Sequence, residues 1–158
     1  MKNQILTFLV GLPASGKSTI AKDLAARNGS TVIISWDSIR EAMFNRYDFP
    51  RDSMIREVSY YMFDIAVKNK QSIVIDNTNL KKAAREIFYN RLPADHNYVV
   101  EKIIVHPGIL ESIRRNNLRD RGNMTVSDSV IWNMARSCEI DSIRQEYFRL
   151  KNSGLVPE

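Results

Sequence analysis

The chain has 158 residues, of which 44% are hydrophobic and 26% are charged, and its formal net charge is +5. This length and composition indicate one ordinary globular domain over residues 1–158 with a core of its own. No apolar run approaches the roughly 20 residues of a membrane span, so we expect no membrane partner. Cys138 is the only cysteine, which excludes an intramolecular disulfide and a multi-cysteine zinc site.

The predicted elements begin with a strand, a loop and a helix. Gln4–Val10 is an apolar run typical of a buried parallel strand, and GLPASGKST follows it at residues 11–19. This loop fits the phosphate-binding pattern G-x-x-x-x-G-K-[ST]. A glycine-rich turn without function is the alternative, but strand, loop and helix stand in the order that the motif requires. The residues that recur at helical spacing after the loop are Ile20, Ala21, Leu24 and Ala25.

The loop predicts a site for ATP and Mg²⁺. Gly11 and Gly16 are expected to allow the close approach of phosphates and unusual dihedral angles. The lysine of the motif reaches the β- and γ-phosphates, and the serine hydroxyl ligates Mg²⁺. Cleavage of this region as a signal peptide would destroy the site, so we expect a cytoplasmic protein. The predicted ATP-binding residues of the loop are Gly11, Leu12, Pro13, Ala14, Ser15, Gly16, Lys17, Ser18 and Thr19.

The second predicted strand is the β-branched run Thr31–Ser35, which Trp36 and Asp37 follow. Ligands of open parallel sheets lie beyond the carboxyl ends of the strands, so we expect Asp37 near the phosphate loop. Asp37 or Ser38 can cap a short helix, which places Arg40 on the same face as Asp37. This pair is either a structural ion pair or a general base beside an anion clamp. The phosphate loop favours the second interpretation.

A loop and a long helix come next. Asn45–Arg51 contains tyrosine, phenylalanine and proline, and it either closes over a substrate or is an ordinary connection. The helix is predicted from Asp52 to about Asn69. Most of its apolar residues are expected in the core, namely Met54, Ile55, Val58, Tyr61, Met62, Ile65 and Ala66.

Ser72–Asp76 predicts the third strand, which is nearly all apolar and hence buried on both faces. It ends at Asp76, where a nucleotide-binding sheet often holds a carboxylate near Mg²⁺. Asn77, Thr78 and Asn79 follow. These residue types cap helices well, and at the end of a strand they can equally shape a site.

The remaining elements continue the alternation of strands and helices. They are a helix over Lys81–Leu92, a strand over Tyr98–Val105, a helix after Gly108 that turns Leu110, Ile113 and Leu118 inward, and helices over Asp128–Ser137 and Glu139–Leu150. The alternation predicts a three-layer α/β fold whose central parallel sheet has four to five strands and is covered on both sides.

Four arginines lie within residues 114–121, and Gly122 follows them. Such a run is usually a solvated basic face. Here it leaves a helix and enters a loop, which favours an arginine-bearing lid over residues 114–125. Arginine binds phosphate oxygens and stabilises charge on a transferring phosphoryl group. Together with the phosphate loop and the two acidic strand ends, the run predicts phosphoryl transfer.

Four motifs, in this order, resemble the 5′-polynucleotide kinase family of bacteriophage RNA and DNA repair enzymes. They are GLPASGKST, SWDSIR at 35–40, DNTNL at 76–80 and RRNNLRDRG at 114–122, so the resemblance covers the first 122 residues by motif. It implies a P-loop kinase fold and ATP-dependent phosphorylation of the 5′-hydroxyl ends of DNA or RNA. Related kinases of the same broad group use a similar set of motifs.

The resemblance also implies roles for single residues. Lys17 and Ser18 bind the ATP phosphates and Mg²⁺. Asp37 is the general base that activates the 5′-hydroxyl, and Arg40 holds the 3′-phosphate of the acceptor nucleotide. Arg121 is the lid residue on the ATP phosphates.

This sequence departs from the family at two places. The acidic residue of the third-strand motif stands directly before Thr-Asn in the family; Asn77 holds that place here, and Asp76, the expected Mg²⁺ ligand, comes one position earlier. Trp36 replaces a residue that is often polar or charged, and it either stacks on an acceptor base or packs in the protein. Trp36 and Asn79 complete the expected acceptor-binding set with Asp37 and Arg40.

These observations leave three functions open. The first is a polynucleotide 5′-hydroxyl kinase in nucleic-acid repair, which the basic charge favours. The second is a P-loop kinase of a small-molecule or tRNA-linked hydroxyl. The third is a nucleotide-dependent switch, although a switch needs no base aimed at an acceptor. The phage enzyme carries a phosphatase domain after its kinase, and we expect this chain to lack 3′-end healing.

Overall fold

The computed structural model describes residues 3–44, 51–119 and 125–157. Four parallel strands form one sheet in these ranges, in the order β2-β3-β1-β4. This arrangement confirms the predicted α/β class and the parallel sheet. The strands are β1 (Ile5–Val10), β2 (Thr31–Ile34), β3 (Ser72–Ile75) and β4 (Val99–Ile104).

Helices connect and follow the strands, with bounds within a few residues of those predicted. They are α1 (Lys17–Arg27), α2 (Trp36–Phe44), α3 (Asp52–Lys68), α4 (Lys82–Tyr89), α5 (Ile109–Leu118), α6 (Asp128–Ser137) and α7 (Asp141–Asn152). Residues 45–50 of the predicted loop lie outside the described ranges. No helix in the described part of the chain is both long and apolar enough to cross a membrane.

Apolar side chains cover the sheet from both sides and make the three predicted layers. On one face, Leu9 and Val74 pack with Ala21 of α1 in a small cluster. On the other face, Leu6 and Phe8 belong to a much larger cluster that includes side chains from α3 to α7. Alternate residues of β1 therefore serve the two sides, as the pleat of a strand requires.

Strand β4 departs from this arrangement because it is an edge strand that the helices leave mostly uncovered. Val99, Val100 and Ile104 are exposed, so the cover that the sequence predicted on both sides of the sheet is incomplete at this edge. Glu101 and Lys102 lie between them, and charged side chains on an exposed edge oppose pairing with other chains.

Two helices turn a different face inward from the one predicted. In α5 the buried residues are Ile109, Ser112 and Asn116, whereas the predicted Leu110 and Leu118 are exposed. In α3, Ile55 and Ala66 are buried as predicted. Met54, Tyr61 and Ile65 are exposed, and the predicted core stripe is completed instead by Ser59 and Phe63. Apolar residues occupy more than one face of each helix, so spacing alone did not select the buried one.

The carboxyl ends of three strands meet at one edge of the sheet. Ile34 of β2 is in register with Ile75 of β3, and Phe8 of β1 is paired with the same residue. The residues that follow these strands are therefore neighbours. They lie at the edge of the sheet where open parallel sheets bind ligands.

Candidate active site

The phosphate loop joins the end of β1 to the start of α1. Ala14 and Gly16 have positive φ angles of 61° and 107°. Gly16 stands directly before Lys17, the first residue of α1, and none of the described side chains caps this helix end. Its first turn also contains no acidic residue. The N–H groups of this first turn and the positive end of the helix dipole therefore offer a place where an anion can bind.

The structure gives Gly11 a steric role in addition to the predicted close approach of a phosphate. Its φ is not positive, so no unusual dihedral angle calls for a glycine. A Cβ at this position would lie 2.3 Å from the carbonyl oxygen of Val105 and 2.7 Å from Ser15 Oγ. The loop thus passes too close to the end of β4 to carry a side chain, whether or not a phosphate is bound.

Lys17 folds back over its own loop. Its Nζ donates a hydrogen bond of 2.7 Å to the Leu12 carbonyl and lies 3.4 Å from Ser15 Oγ. Leu12 and Ser15 have buried side chains, so the loop presents mainly backbone groups there. The next two residues of the motif, Ser18 and Thr19, are exposed on the first turn of α1.

A cleft of about 580 Å³ lies over this loop and the neighbouring strand ends. The phosphate loop contributes Lys17 and Ser18 to its wall, and the segments after β2 and β3 contribute Asp37 and Asp76. The predicted donor and acceptor residues thus line one continuous space. Other predicted site residues on its wall are Pro13, Ala14, Gly16, Trp36, Arg40 and Asn79.

Asp37 and Arg40 form the predicted pair, and Asp52 completes it. Arg40 Nη1 donates to Asp37 Oδ1 at 2.9 Å, and Nη2 donates to Asp52 Oδ1 at 2.8 Å. The Arg40 side chain is only 4% exposed, whereas 43% of the Asp37 side chain is exposed. Asp37 is thus ion-paired and also lines the cleft, so the structural ion pair is present and the role of general base stays a prediction.

The start of α2 differs from the prediction that Asp37 or Ser38 caps it. The helix begins at Trp36, so both residues lie within its first turn. Ser35 Oγ accepts a hydrogen bond of 3.4 Å from the Ser38 N–H, and Asn77 Oδ1 accepts one of 2.9 Å from the Trp36 N–H. Asn77 thus caps a helix, which is one of the two roles that the sequence allowed, although this helix is remote in sequence.

Asn79 ties the strand ends together. Its φ is 48°, and its amide nitrogen donates hydrogen bonds to the carbonyl oxygens of Leu9, at 2.8 Å, and Ile75, at 3.0 Å. Because these bonds occupy the buried amide nitrogen, direct acceptor binding by Asn79 stays a prediction that the geometry does not favour. Asp76, three residues earlier, is nearly buried and lines the cleft.

Trp36 is anchored by its indole edge. Its Nε1 donates to Ser59 Oγ at 3.1 Å, and Ser59 is fully buried in α3. The ring packs partly against the core and also lines the cleft. It therefore has a fixed orientation and keeps a surface available to an acceptor.

The arginine run lies partly outside the described ranges, and this includes Arg121 and most of the loop part of the predicted lid. Glu111 binds both Arg114 and Arg115, and these hydrogen bonds lower the pKa of the exposed Glu111 carboxyl to about 2. Arg115 Nη1 lies 4.0 Å from where a Cβ on Gly16 would stand, and Arg119, just after α5, lines the cleft. Both arginines belong to the predicted lid, although the sequence analysis assigned ATP binding only to Arg121.

The cleft lining also includes apolar side chains. Tyr60 of α3 and Phe88 of α4 are in edge-to-face contact at 5.6 Å, and both line the space. The rest of this wall consists of Ala84, Ile87, Val130 and Met134. Sequence reasoning assigned no site role to these residues, because apolar wall residues resemble core residues in a sequence.

Comparison with known proteins gives the family. Residues 6–140 match the family described as AAA domain, which is more than half of the chain. The chain belongs to this family. As an AAA domain of the P-loop kinase type, it has the central parallel sheet with flanking helices that the sequence predicted.

One relative of this AAA domain is L-seryl-tRNA(Sec) kinase from Methanococcus maripaludis, 34% identical over 100 residues. The match covers 60% of this chain and 39% of the relative. A solved structure of the Pnkp1/Rnl/Hen1 RNA repair complex is similar with a TM-score of 0.70 at 18% identity, over 97% of this chain and 47% of that one. The AAA domain thus spans less than half the length of these two proteins.

A further solved structure is a gluconokinase from Sinorhizobium meliloti 1021, with a TM-score of 0.57 at 15% identity and 97% coverage of both chains. At these identities the structural likenesses concern the fold alone.

Proposed function

We propose that this domain transfers the γ-phosphate of ATP to the 5′-hydroxyl end of a nucleic-acid strand. The observation that carries the proposal is that Lys17 and Asp37 line one cleft. Donor and acceptor groups must approach within bonding distance for in-line transfer, so a phosphate loop and a carboxylate in a shared space suit this reaction.

The donor side fits ATP and Mg²⁺. Backbone N–H groups of the loop and the start of α1 would hold the phosphates, and Lys17 would turn from the Leu12 carbonyl to them. Ser18 and Asp76 offer the hard oxygen ligands that Mg²⁺ prefers, and both line the cleft. The ion would neutralise charge on the phosphates when bound. Arg119, together with Arg121 as predicted, would stabilise the charge on the transferring group.

The acceptor side fits a hydroxyl on a sugar that carries a base. Asp37 would take the hydroxyl proton as the oxygen attacks the γ-phosphorus. The apolar wall with Tyr60 and Phe88, and the fixed ring of Trp36, suit stacking against a base.

The 3′-phosphate role of Arg40 requires an additional condition. Its two terminal nitrogens already contact carboxylates in a nearly buried position. An acceptor phosphate would therefore have to share the guanidinium with Asp37 and Asp52. The net charge of +5 supplies long-range attraction for a polyanion whether or not Arg40 contacts it.

A second candidate is a kinase of a tRNA-linked hydroxyl. The 34% identity to L-seryl-tRNA(Sec) kinase favours it. Both candidates use an acceptor hydroxyl that a nucleic acid carries and the same donor site, and they differ in the hydroxyl that reaches Asp37.

The test offers labelled ATP and Mg²⁺ with four acceptors: a 5′-hydroxyl DNA oligonucleotide, its RNA equivalent, seryl-tRNA and gluconate. We expect transfer to an oligonucleotide, with a rate that falls steeply as salt is added because a polyanion binds. Transfer to seryl-tRNA alone would select the second candidate. Labelling of gluconate alone, or of nothing, would reject both.

The acceptor base is tested by Asp37→Asn, which keeps the shape of the side chain. We expect kcat to fall about 10²- to 10⁴-fold while ATP affinity is unchanged, since only proton removal is lost. Asp141→Asn is the matched control because Asp141 is exposed in the first turn of α7, away from the cleft. An Asp37→Asn enzyme with the activity of this control would show that another group takes the proton.

A further inference from the structure

The cleft holds a charged residue to which neither the sequence motifs nor the proposed reaction assign a role. Asp52 is the first residue of α3, lines the cleft and contacts Arg40 at 2.8 Å. We propose that Asp52 is a positioning residue: it holds Arg40, and through Arg40 it holds Asp37 in place for proton removal. This inference rests on the proposed function, because Asp37 is the base in that reaction.

The first argument is geometric. Asp37 and Arg40 are three residues apart on α2, so their contact belongs to one helix and fixes only one nitrogen of the guanidinium. Asp52 comes from a different helix and binds the other terminal nitrogen. Two contacts from two elements restrict the orientation of the planar guanidinium more than either contact does alone.

The second argument concerns charge during the reaction. The acceptor oxygen forms a bond to the γ-phosphorus, the bond from that phosphorus to the β-phosphate oxygen breaks, and ADP leaves. The hydroxyl proton moves to Asp37, which becomes neutral and later releases the proton to solvent. Arg40 is 4% exposed, and the carboxylate of Asp52 stays beside it while Asp37 is neutral. Asp52 therefore keeps a negative charge next to the nearly buried guanidinium throughout the reaction. Both arguments predict that the loss of Asp52 lowers kcat.

The experiment compares Asp52→Asn with wild type and with Asp141→Asn. Asp141 is also the first residue of its helix, so the control reproduces the loss of a carboxylate at a helix start. We expect kcat for transfer to fall about ten- to a hundredfold, the scale seen when the outer partners of site ligands are removed. The Kd for ATP should match that of the control, whereas the Tm should fall because the nearly buried Arg40 loses a contact. Asp52→Glu should restore part of kcat.

A double variant separates positioning from stability. In the Asp37→Asn background, adding Asp52→Asn should change the residual kcat by less than about threefold, because residues that act as a unit are not additive. A multiplicative effect of the two substitutions would overturn the proposal. So would an Asp52→Asn enzyme with unchanged kcat, or one whose Tm and ATP binding fall together without rescue by glutamate.

One outcome would identify a competing role. If Asp52→Asn lowers the KM for the acceptor and keeps kcat, then Asp52 competes with the acceptor for Arg40 and the positioning proposal is wrong. The ¹³C resonance of the Asp37 carboxyl carbon gives a readout that needs no acceptor. It should shift in Asp52→Asn and not in Asp141→Asn. An unchanged resonance refutes the inference even if the kinase assay succeeds, and a shifted one in a protein that labels no acceptor rejects the proposed function alone.

Discussion

Replacing Gly11 by alanine tests why the first glycine of the phosphate loop is needed. The added Cβ would lie 2.3 Å from the Val105 carbonyl oxygen and 2.7 Å from Ser15 Oγ. The Val105 oxygen belongs to a backbone that the sheet holds, because the Val105 N–H donates to the Val10 carbonyl at 2.7 Å. The Ser15 hydroxyl can rotate away, but the carbonyl moves only if the end of β4 moves. The contact with Val105 therefore sets the cost.

Overpacking of this kind costs about 1–3 kcal/mol. In a domain of about this size, 1 kcal/mol changes Tm by about 2–4 °C, so the expected fall is about 2–12 °C. The displaced loop should also bind ATP more weakly, because its N–H groups no longer converge. Both effects should appear without any change in net charge.

The assay is thermal and urea unfolding of Gly11→Ala without nucleotide, followed by ATP titration. Gly29→Ala is the matched control: nothing lies within 4 Å of its Cβ position, and its φ is not in the positive range. At such a site alanine is neutral or stabilises by up to about 1 kcal/mol. If Gly11→Ala unfolds at the same temperature as wild type, the steric explanation is wrong and close phosphate approach is the remaining one.

Two further predictions concern contacts that hold the site. Asn77→Ala removes the acceptor for the Trp36 N–H and should lower the free energy of unfolding by about 0.5–2 kcal/mol in urea, with exposed Asn133→Ala as the neutral control. Glu111→Gln removes the carboxylate whose pKa is lowered from 4.5 to about 2 by Arg114 and Arg115. A lowered pKa stabilises the fold above the ordinary value, so the Tm difference between wild type and this variant should be constant above about pH 4.5 and vanish as the pH falls through about 2. A difference that persists at the lowest pH would contradict the ionic origin.

The alternating strands and the phosphate loop were predictable because a continuous stretch of sequence determines each of them. A buried strand is a short apolar run, and the loop needs particular residues at fixed spacing. The proximity of Asp37 to Lys17 followed from one rule about strand ends, although these residues are 20 positions apart in the sequence. Local patterns and one topological rule therefore account for the cleft and its two opposed groups.

The remaining features depend on contacts between residues that are distant in sequence. Asn77 caps a helix 41 residues earlier, and Asp52 reaches Arg40 from another helix. No local pattern encodes these contacts, because the same residue types also cap their own helices. The exposure of β4 had the same origin: Val99 and Val100 form an apolar run like that of a central strand, and only the strand order puts them at the edge.

The short turn after β3 contacts two parts of the candidate active site, so a structural change in this turn affects both. The Thr78 carbonyl accepts a hydrogen bond of 3.0 Å from the Gly11 N–H, and Asn77 in the same turn holds the Trp36 N–H. The phosphate loop and the helix that carries Asp37 are therefore both hydrogen-bonded to the same short turn. A movement of this turn would displace both elements together and preserve the distance between them. A substitution that disrupts the turn would instead break both hydrogen bonds. A displacement of the whole turn should therefore impair phosphoryl transfer far less than the loss of either hydrogen bond.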